Sequence, residues 1–225
     1  MYVLGIETSG RCGGVALIDE HRVLGEITFC CDQTYSTRLL PDIKQLLEKI
    51  DLTLKDISLI AVSLGPGSFT GLRIGLSSAK AIAFALNIPI IGVPSLDALS
   101  FNLVGKECDV IFSLIRARKK ELYGAFFKLT NSIPTLISEY KCIKDTELYS
   151  LLEKEHMDMI ICDEDALCII KEIKTLYNLA TSIPLHLRHL RASSVADLGL
   201  IYFKSKNRGD DLNLLEPLYV RAALS

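Results

Sequence analysis

Apolar positions along this chain follow two periods, and the switches between them mark out the elements. Tyr2 to Glu7, Gly13 to Asp19 and Arg22 to Phe29 are short runs rich in Val, Ile and Leu, separated by turn residues. They predict three strands in an antiparallel meander. After Ser36, a candidate cap, the period becomes helical: Leu39, Leu40, Ile43, Leu46, Leu47 and Ile50 share one face, with Lys44, Glu48 and Lys49 away from it. Pro41 is expected to bend this helix or to mark its first turn. Ser58 to Leu64 reads as a buried strand stopped by Gly65, Pro66 and Gly67. Thr70 then caps a predicted helix to about Leu86, ended by Asn87 and Pro89. A strand over Ile88 to Val93 and a helix from Ser95 give a βββαβα series.

The helix after Gly-Pro-Gly has an unusual surface. Projected at 100° per residue, Arg73, Ser77, Lys80 and Phe84 gather on one narrow face, while Leu72, Ile74, Leu76, Ala79, Ala81, Ile82, Ala83, Ala85 and Leu86 cover most of the rest. A helix lying on one sheet needs an apolar sector of roughly 100°, so a wider one implies contact on two sides. Gly71, Gly75, Ala79 and Ala83 recur at every fourth position, a row along which another backbone can come close. That cover comes either from the chain's own sheet and neighbouring helix or from a second protein. Arg73 and Lys80 interrupt the helix too much for it to span a membrane.

From about Asp109 the pattern restarts. Asp109 to Ile115 and Leu122 to Lys128 read as paired strands joined through Arg116, Arg118, Lys119 and Lys120, with Thr135 to Tyr140 as a third. A helix over Asp145 to Glu155, a strand over Met157 to Cys162 and a helix over Asp165 to Tyr177 follow. Ser193 or Ser194 caps a last helix to about Lys204, before a polar turn from Asn207 to Asp211. The restart divides the chain into a first domain that begins at residue 1 and a smaller second domain of residues 105–191. The fold class is α/β, each domain a mixed sheet with flanking helices; the strand and helix order is that of the actin-like (ASKHA) superfamily.

Composition narrows the function. With 225 residues, 49% hydrophobic and 23% charged, the chain is an ordinary globular protein large enough for a real core. A net charge of −2 argues against broad electrostatic capture of nucleic acid, so any RNA contact is local or made by a partner. Seven cysteines, without a CxxC pair or metal-ligand spacing, are expected to be free thiols in a reducing cytosol. No signal peptide is recognisable before Glu7 and Arg11.

Several residue groups bear on chemistry. Glu7, Thr8, Ser9 and Gly10 close the first strand, where ATPases of the superfamily place a carboxylate for a metal and a small polar turn for phosphate; the alternative is a hairpin turn without its ligand. The glycine turn lacks the Lys-Ser/Thr of a Walker loop, and Gly65, Gly67 and Gly71 are spaced too widely for a dinucleotide fingerprint. Ser68 and Thr70 are hydroxyls in a tight turn, yet no GxSxG elbow surrounds them. His186 and His189 lie beside Arg188 and Arg191 with no carboxylate or cysteine, and read as surface histidines.

GPGSFTGLRIG, from Gly65 to Gly75, resembles the signature of the TsaB (YeaZ) family. GIETS near the start, LLPDI in the first helix, GVPSLDAL after the glycine helix and LEPLYVR at the end resemble the family in the same order. The resemblance implies a non-catalytic scaffold that supports TsaD in forming threonylcarbamoyladenosine beside the anticodon of ANN-decoding tRNAs, with the ATPase TsaE in the larger complex. It implies a heterodimer with TsaD, a homodimer when alone, indirect contact with tRNA, no membrane and a cytoplasmic location, and it places the last helix back against the first domain, which then takes in residues 1–104 plus 192–225. The expected contact surface is Leu39, Leu40, Ile43, Leu47, Gly71, Leu72, Gly75, Leu76, Ala79, Ile82 and Ala83. No catalytic residue, metal or intrinsic cofactor is implied, with a nucleotide conceivable only at the partner contact. The catalytic paralogue carries two histidines four apart on the first helix; Tyr35 and Leu39 stand here instead, and a phenol with a leucine is no metal site. The basic turn departs from the family pattern at Arg116 and Lys120, and is a candidate RNA phosphate contact or solvated hairpin charge. An ATP-dependent enzyme, shown by saturable binding of ATP and Mg²⁺ with turnover, and a peptidase, shown by cleavage lost on Ser68→Ala or Thr70→Ala, are the alternatives from other classes.

Overall fold

The computed structural model describes residues 1–30, 35–106, 108–130, 133–154 and 157–220. In chain order the strands are β1 (Tyr2–Glu7), β2 (Cys12–Ile18), β3 (Val23–Cys30), β4 (Ile57–Gly65), β5 (Ile90–Pro94), β6 (Val110–Arg116), β7 (Glu121–Thr130), β8 (Ile133–Leu136), β9 (Lys141–Lys144) and β10 (Met159–Cys162). The helices are α1 (Tyr35–Lys49), α2 (Phe69–Leu86), α3 (Ser95–Phe101), α4 (Leu148–Lys154), α5 (Glu164–Ile170), α6 (Lys174–Thr181) and α7 (Ala192–Lys206). The chain divides into one unit of Met1–Ala98 with Leu190–Leu218 and another of Leu99–His189 with Tyr219–Ser225. The first boundary falls within α3.

The first unit holds a sheet of order β3-β2-β1-β4-β5. The meander β1 to β3 is antiparallel, whereas β4 and β5 run parallel to β1. Alternation along β1 places Leu4 and Ile6 on one face, in a core with Leu39, Ile43 and Leu47 of α1 and Leu76, Ala79 and Ala83 of α2. Gly5 points to the opposite face, where a Cβ would strike the Ala192 carbonyl and Ala196 of α7. The last helix therefore packs back on the first sheet, as the resemblance implied. Glu26 of β3 fastens it: the carboxylate accepts from Arg191 Nη2 at 2.6 Å and from the Ser193 N–H at 3.0 Å, an anion at a helix N-terminus.

The second unit has a sheet of order β10-β6-β7-β8, with β9 also on β7. Phe112, Leu114, Leu122, Ile160, Ile170 and Leu176 form its core. Here the expectations erred most. The helix expected over Asp165 to Tyr177 is two, α5 capped by Asp163 and α6 entered through Ile173, whose backbone at φ −96°, ψ 88° is not helical and breaks the turn. The third strand lies earlier than Thr135 to Tyr140, and β9 was not expected at all. The basic turn is partly neutralised within the unit, with Arg116 3.6 Å from Asp165 and Lys120 3.8 Å from Asp145. Arg118 and Lys119 remain exposed.

The cysteine reading needs correction. Cys12 and Cys30 stand directly opposite in the β2–β3 register, with Cα atoms 4.0 Å apart, and are joined as a disulfide. Counting and spacing could not reveal a cross-strand pair. Cys108, Cys142, Cys162 and Cys168 are free thiols, and Cys31 lies outside the described residues. Among the described residues α2 alone has the length and hydropathy to cross a membrane. Its contacts with β4 and α1 instead make it a packed helix of the first unit.

Candidate functional site

The candidate site is α2 and the loop beneath its N-terminus. Ser68, not Thr70, is the cap: its hydroxyl accepts from the Gly71 N–H at 3.2 Å, which puts Thr70 inside the first turn. Asn87 ends the helix in the left-handed conformation at φ 53°, as expected.

The row of small residues is turned inward. A Cβ at Gly67 would strike the Ser9 carbonyl, one at Gly71 the Thr8 carbonyl, and one at Gly75 the Thr8 hydroxyl. The Ser68 N–H donates to the Ser9 carbonyl at 2.7 Å. These glycines therefore seat the first turns of α2 against the end of β1. Ala79 and Ala83 continue the row into the core.

This overturns most of the expected contact surface. Leu39, Ile43, Leu47, Gly71, Leu72, Gly75, Leu76, Ala79 and Ala83 are all buried within this chain, and Ile82 is half-buried against the same core. Only Leu40, 59% exposed, stands out to solvent. The buried arc of α2 spans roughly 140° and is filled by the sheet and by α1, so its width does not require a second protein. The residues left outside include Ala81 and Ala85 as well as the narrow face, where Phe84 is 78% exposed, Phe69 53%, and Arg73 lies over the Phe69 ring at 3.9 Å. An aromatic at each end of one helix face, with Leu40 exposed on α1, gives this side of the first unit an exposed apolar surface.

The loop from Glu7 to Gly10 is buried at Glu7, Thr8 and Ser9. Glu7 Oε1 accepts from both the N–H and the hydroxyl of Ser9 at 2.6 Å, and the Thr8 N–H donates to Ser63 Oγ at 3.2 Å. Two of the backbone donors that a phosphate would need are thus already engaged, while the Thr8 and Ser9 carbonyls face the glycines of α2. The Tyr35 hydroxyl donates to the Gly10 carbonyl at 2.9 Å, so the phenol is a strut for the loop. Among the described residues no three metal-ligating side chains cluster. Ser68 is occupied as a cap, which leaves it poorly suited to act as a nucleophile.

Burial drives the Glu7 carboxyl up to about 7, against the Ser9 hydrogen bonds that pull it down. Folding then favours the protonated form. The stability it contributes is fully present below the unfolded value near 4.5 and is lost as pH rises through about 7. This single group is expected to cost about 3 kcal/mol between those limits. Urea titrations at pH 4.5 and 7.5 test this: Glu7→Gln should lose about 3 kcal/mol less than the parent over that interval. Equal losses would show that Glu7 does not titrate there.

The fold and this site together define a class: a two-domain actin-like protein whose phosphate-loop position is closed by its own glycine helix. Residues 29–177 match the family model described as TsaD, tRNA N6-adenosine threonylcarbamoyltransferase. The tRNA threonylcarbamoyladenosine biosynthesis protein TsaB of Bacillus subtilis is 29% identical, over 99% of this chain and 95% of that protein. Its namesake in Buchnera aphidicola (subsp. Acyrthosiphon pisum) is 35% identical, over 68% of this chain and 66% of that one. Among solved structures, one described as an uncharacterized protein with similarity to peptidase YEAZ from Pseudomonas aeruginosa superposes with a TM-score of 0.75 at 21% identity, covering 98% and 99% of the two chains. The chain belongs to this TsaD-type family, and within it to the TsaB (YeaZ) branch.

Proposed function

We propose that this chain is the non-catalytic partner of TsaD in forming threonylcarbamoyladenosine in tRNA. Membership of the TsaB branch over nearly the whole chain carries the reading. The loop chemistry supports it, because Glu7 and the Thr8 and Ser9 N–H groups are spent on one another and on Ser63. The contact with TsaD would be made by the outward face of α2, through Phe69, Arg73 and Phe84, with Leu40 of α1. In the absence of TsaD the same face would pair two copies. TsaE would join the larger complex, tRNA would be held by the partners, and any nucleotide would lie at the partner contact rather than in this chain alone. The setting would be the cytoplasm.

Reconstitution tests this. Purified TsaD and TsaE with threonylcarbamoyl-AMP and unmodified tRNA should form the modified nucleoside only when this chain is added. Full modification in its absence, or turnover of ATP or peptide by this chain alone, would overturn the proposal.

A further inference from the structure

The Cys12–Cys30 bridge lies where the first sheet meets α1. Cys12 opens β2 and Cys30 ends β3, so the bond joins the last facing pair of that ladder. The next pair inward is Gly13 opposite Phe29. Both lie against the start of α1: a Cβ at Gly13 would strike the Tyr35 hydroxyl, and the Phe29 ring carries the Arg38 guanidinium at 3.3 Å. Tyr35 in turn donates to the Gly10 carbonyl. Each cysteine is thus one residue away from a contact that seats the helix.

Position and access argue against a static brace. The ladder continues through six further facing pairs to Ile18 and Val23, so the two strands keep their register without the bond. Cys30 is exposed and Cys12 half-buried. A thiolate from solution can therefore reach the Cys30 sulfur, and accessible disulfides are the ones that exchange, whereas buried ones resist.

We propose that Cys12 and Cys30 form a reversible thiol–disulfide switch that fastens or frees the seat of α1. In the reducing direction a thiolate of a dithiol reductant attacks the Cys30 sulfur, and Cys12 leaves as a thiolate that takes up a proton. The reductant's second thiolate then attacks its own sulfur in the mixed disulfide and releases Cys30, which is protonated in turn. Two electrons and two protons have passed to this chain, and the reductant leaves as a disulfide. A disulfide oxidant, itself reduced to two thiols, reverses the sequence. Oxidised, the strand ends are locked beside Tyr35 and Arg38; reduced, Gly13 and Phe29 are held by the ladder alone.

The test treats the native full chain with reduced dithiothreitol and then with oxidised glutathione, trapping thiols with a maleimide at each stage and locating the label by peptide mass spectrometry. Cys12 and Cys30 should gain label together in the first step without denaturant and lose it together in the second, with the far-ultraviolet circular dichroism unchanged. Peptides covering residues 35–42 should exchange amide hydrogen several-fold faster in the reduced chain. Cys31→Ser should leave all of this intact, which separates the pair from the next cysteine in sequence. Reduction only in urea, or reduction that unfolds the chain, would make the bond structural and overturn the proposal. Thiols that do not rejoin, a bridge lost with Cys31→Ser, or equal exchange in the two states would also overturn it. None of these measurements uses TsaD, so their outcome is independent of the function proposed above.

Discussion

A chain carrying Phe69→Asp and Phe84→Asp is expected to lose association with TsaD by about 100-fold or more while losing no more than about 2 kcal/mol of stability in urea unfolding. Both rings are more than half exposed, so their removal takes little from the core; exposed substitutions usually change stability by no more than about 0.5 kcal/mol. Loss of the Arg73 contact with Phe69 adds at most about 1 kcal/mol. At an interface the balance reverses. Aromatic anchors commonly contribute about 2 kcal/mol each, and a carboxylate in their place meets an apolar partner surface unpaired. Light scattering of the mixed proteins reads the result directly. Undiminished complex formation with the double variant would place the contact elsewhere on the chain.

That assignment differs from the one the sequence suggests, and the difference is instructive. The period of apolar residues in α1 and α2 was legible, as were the meander, the strand at Ile57–Gly65 and the Asn87 stop, while the return of α7 rested on the family resemblance. The helical projection even separated Phe84, Arg73 and Ser77 from the rest of α2. What it could not show is how much of the apolar arc the chain covers itself, because that depends on α1 and β1 meeting it from across the fold. A repeated small residue is equally suited to an external backbone and to an internal one; only the position of Thr8 decides. The same limit explains the cysteines, where Cys12 faces Cys30 through strand register. It also explains the edge of β5, closed by Asp210 from a distant tail.

Gly75→Arg should therefore unfold the first unit rather than merely detach a partner. The glycine is needed for close approach, not for its backbone angles: a Cβ there would meet the Thr8 hydroxyl head-on, with Thr8 Cβ at 3.2 Å and Cγ2 at 3.3 Å. Thr8 cannot yield cheaply, since it is fully buried and its N–H is tied to Ser63. For Gly75→Ala the helix must lift away from the loop, an overpacking cost of about 1–3 kcal/mol offset by up to about 1 kcal/mol of helix propensity. Arginine adds a long chain and a charge with no route to solvent between α2 and β1, and its cost should exceed about 4 kcal/mol. Urea unfolding should thus show a lowered midpoint for Gly75→Ala and no folded baseline for Gly75→Arg, with Phe84→Arg unchanged as the control on the outer face of the same helix. A stable, partner-deficient Gly75→Arg would mean that α2 presents its glycine face outward, and the packing described for Thr8 would be wrong.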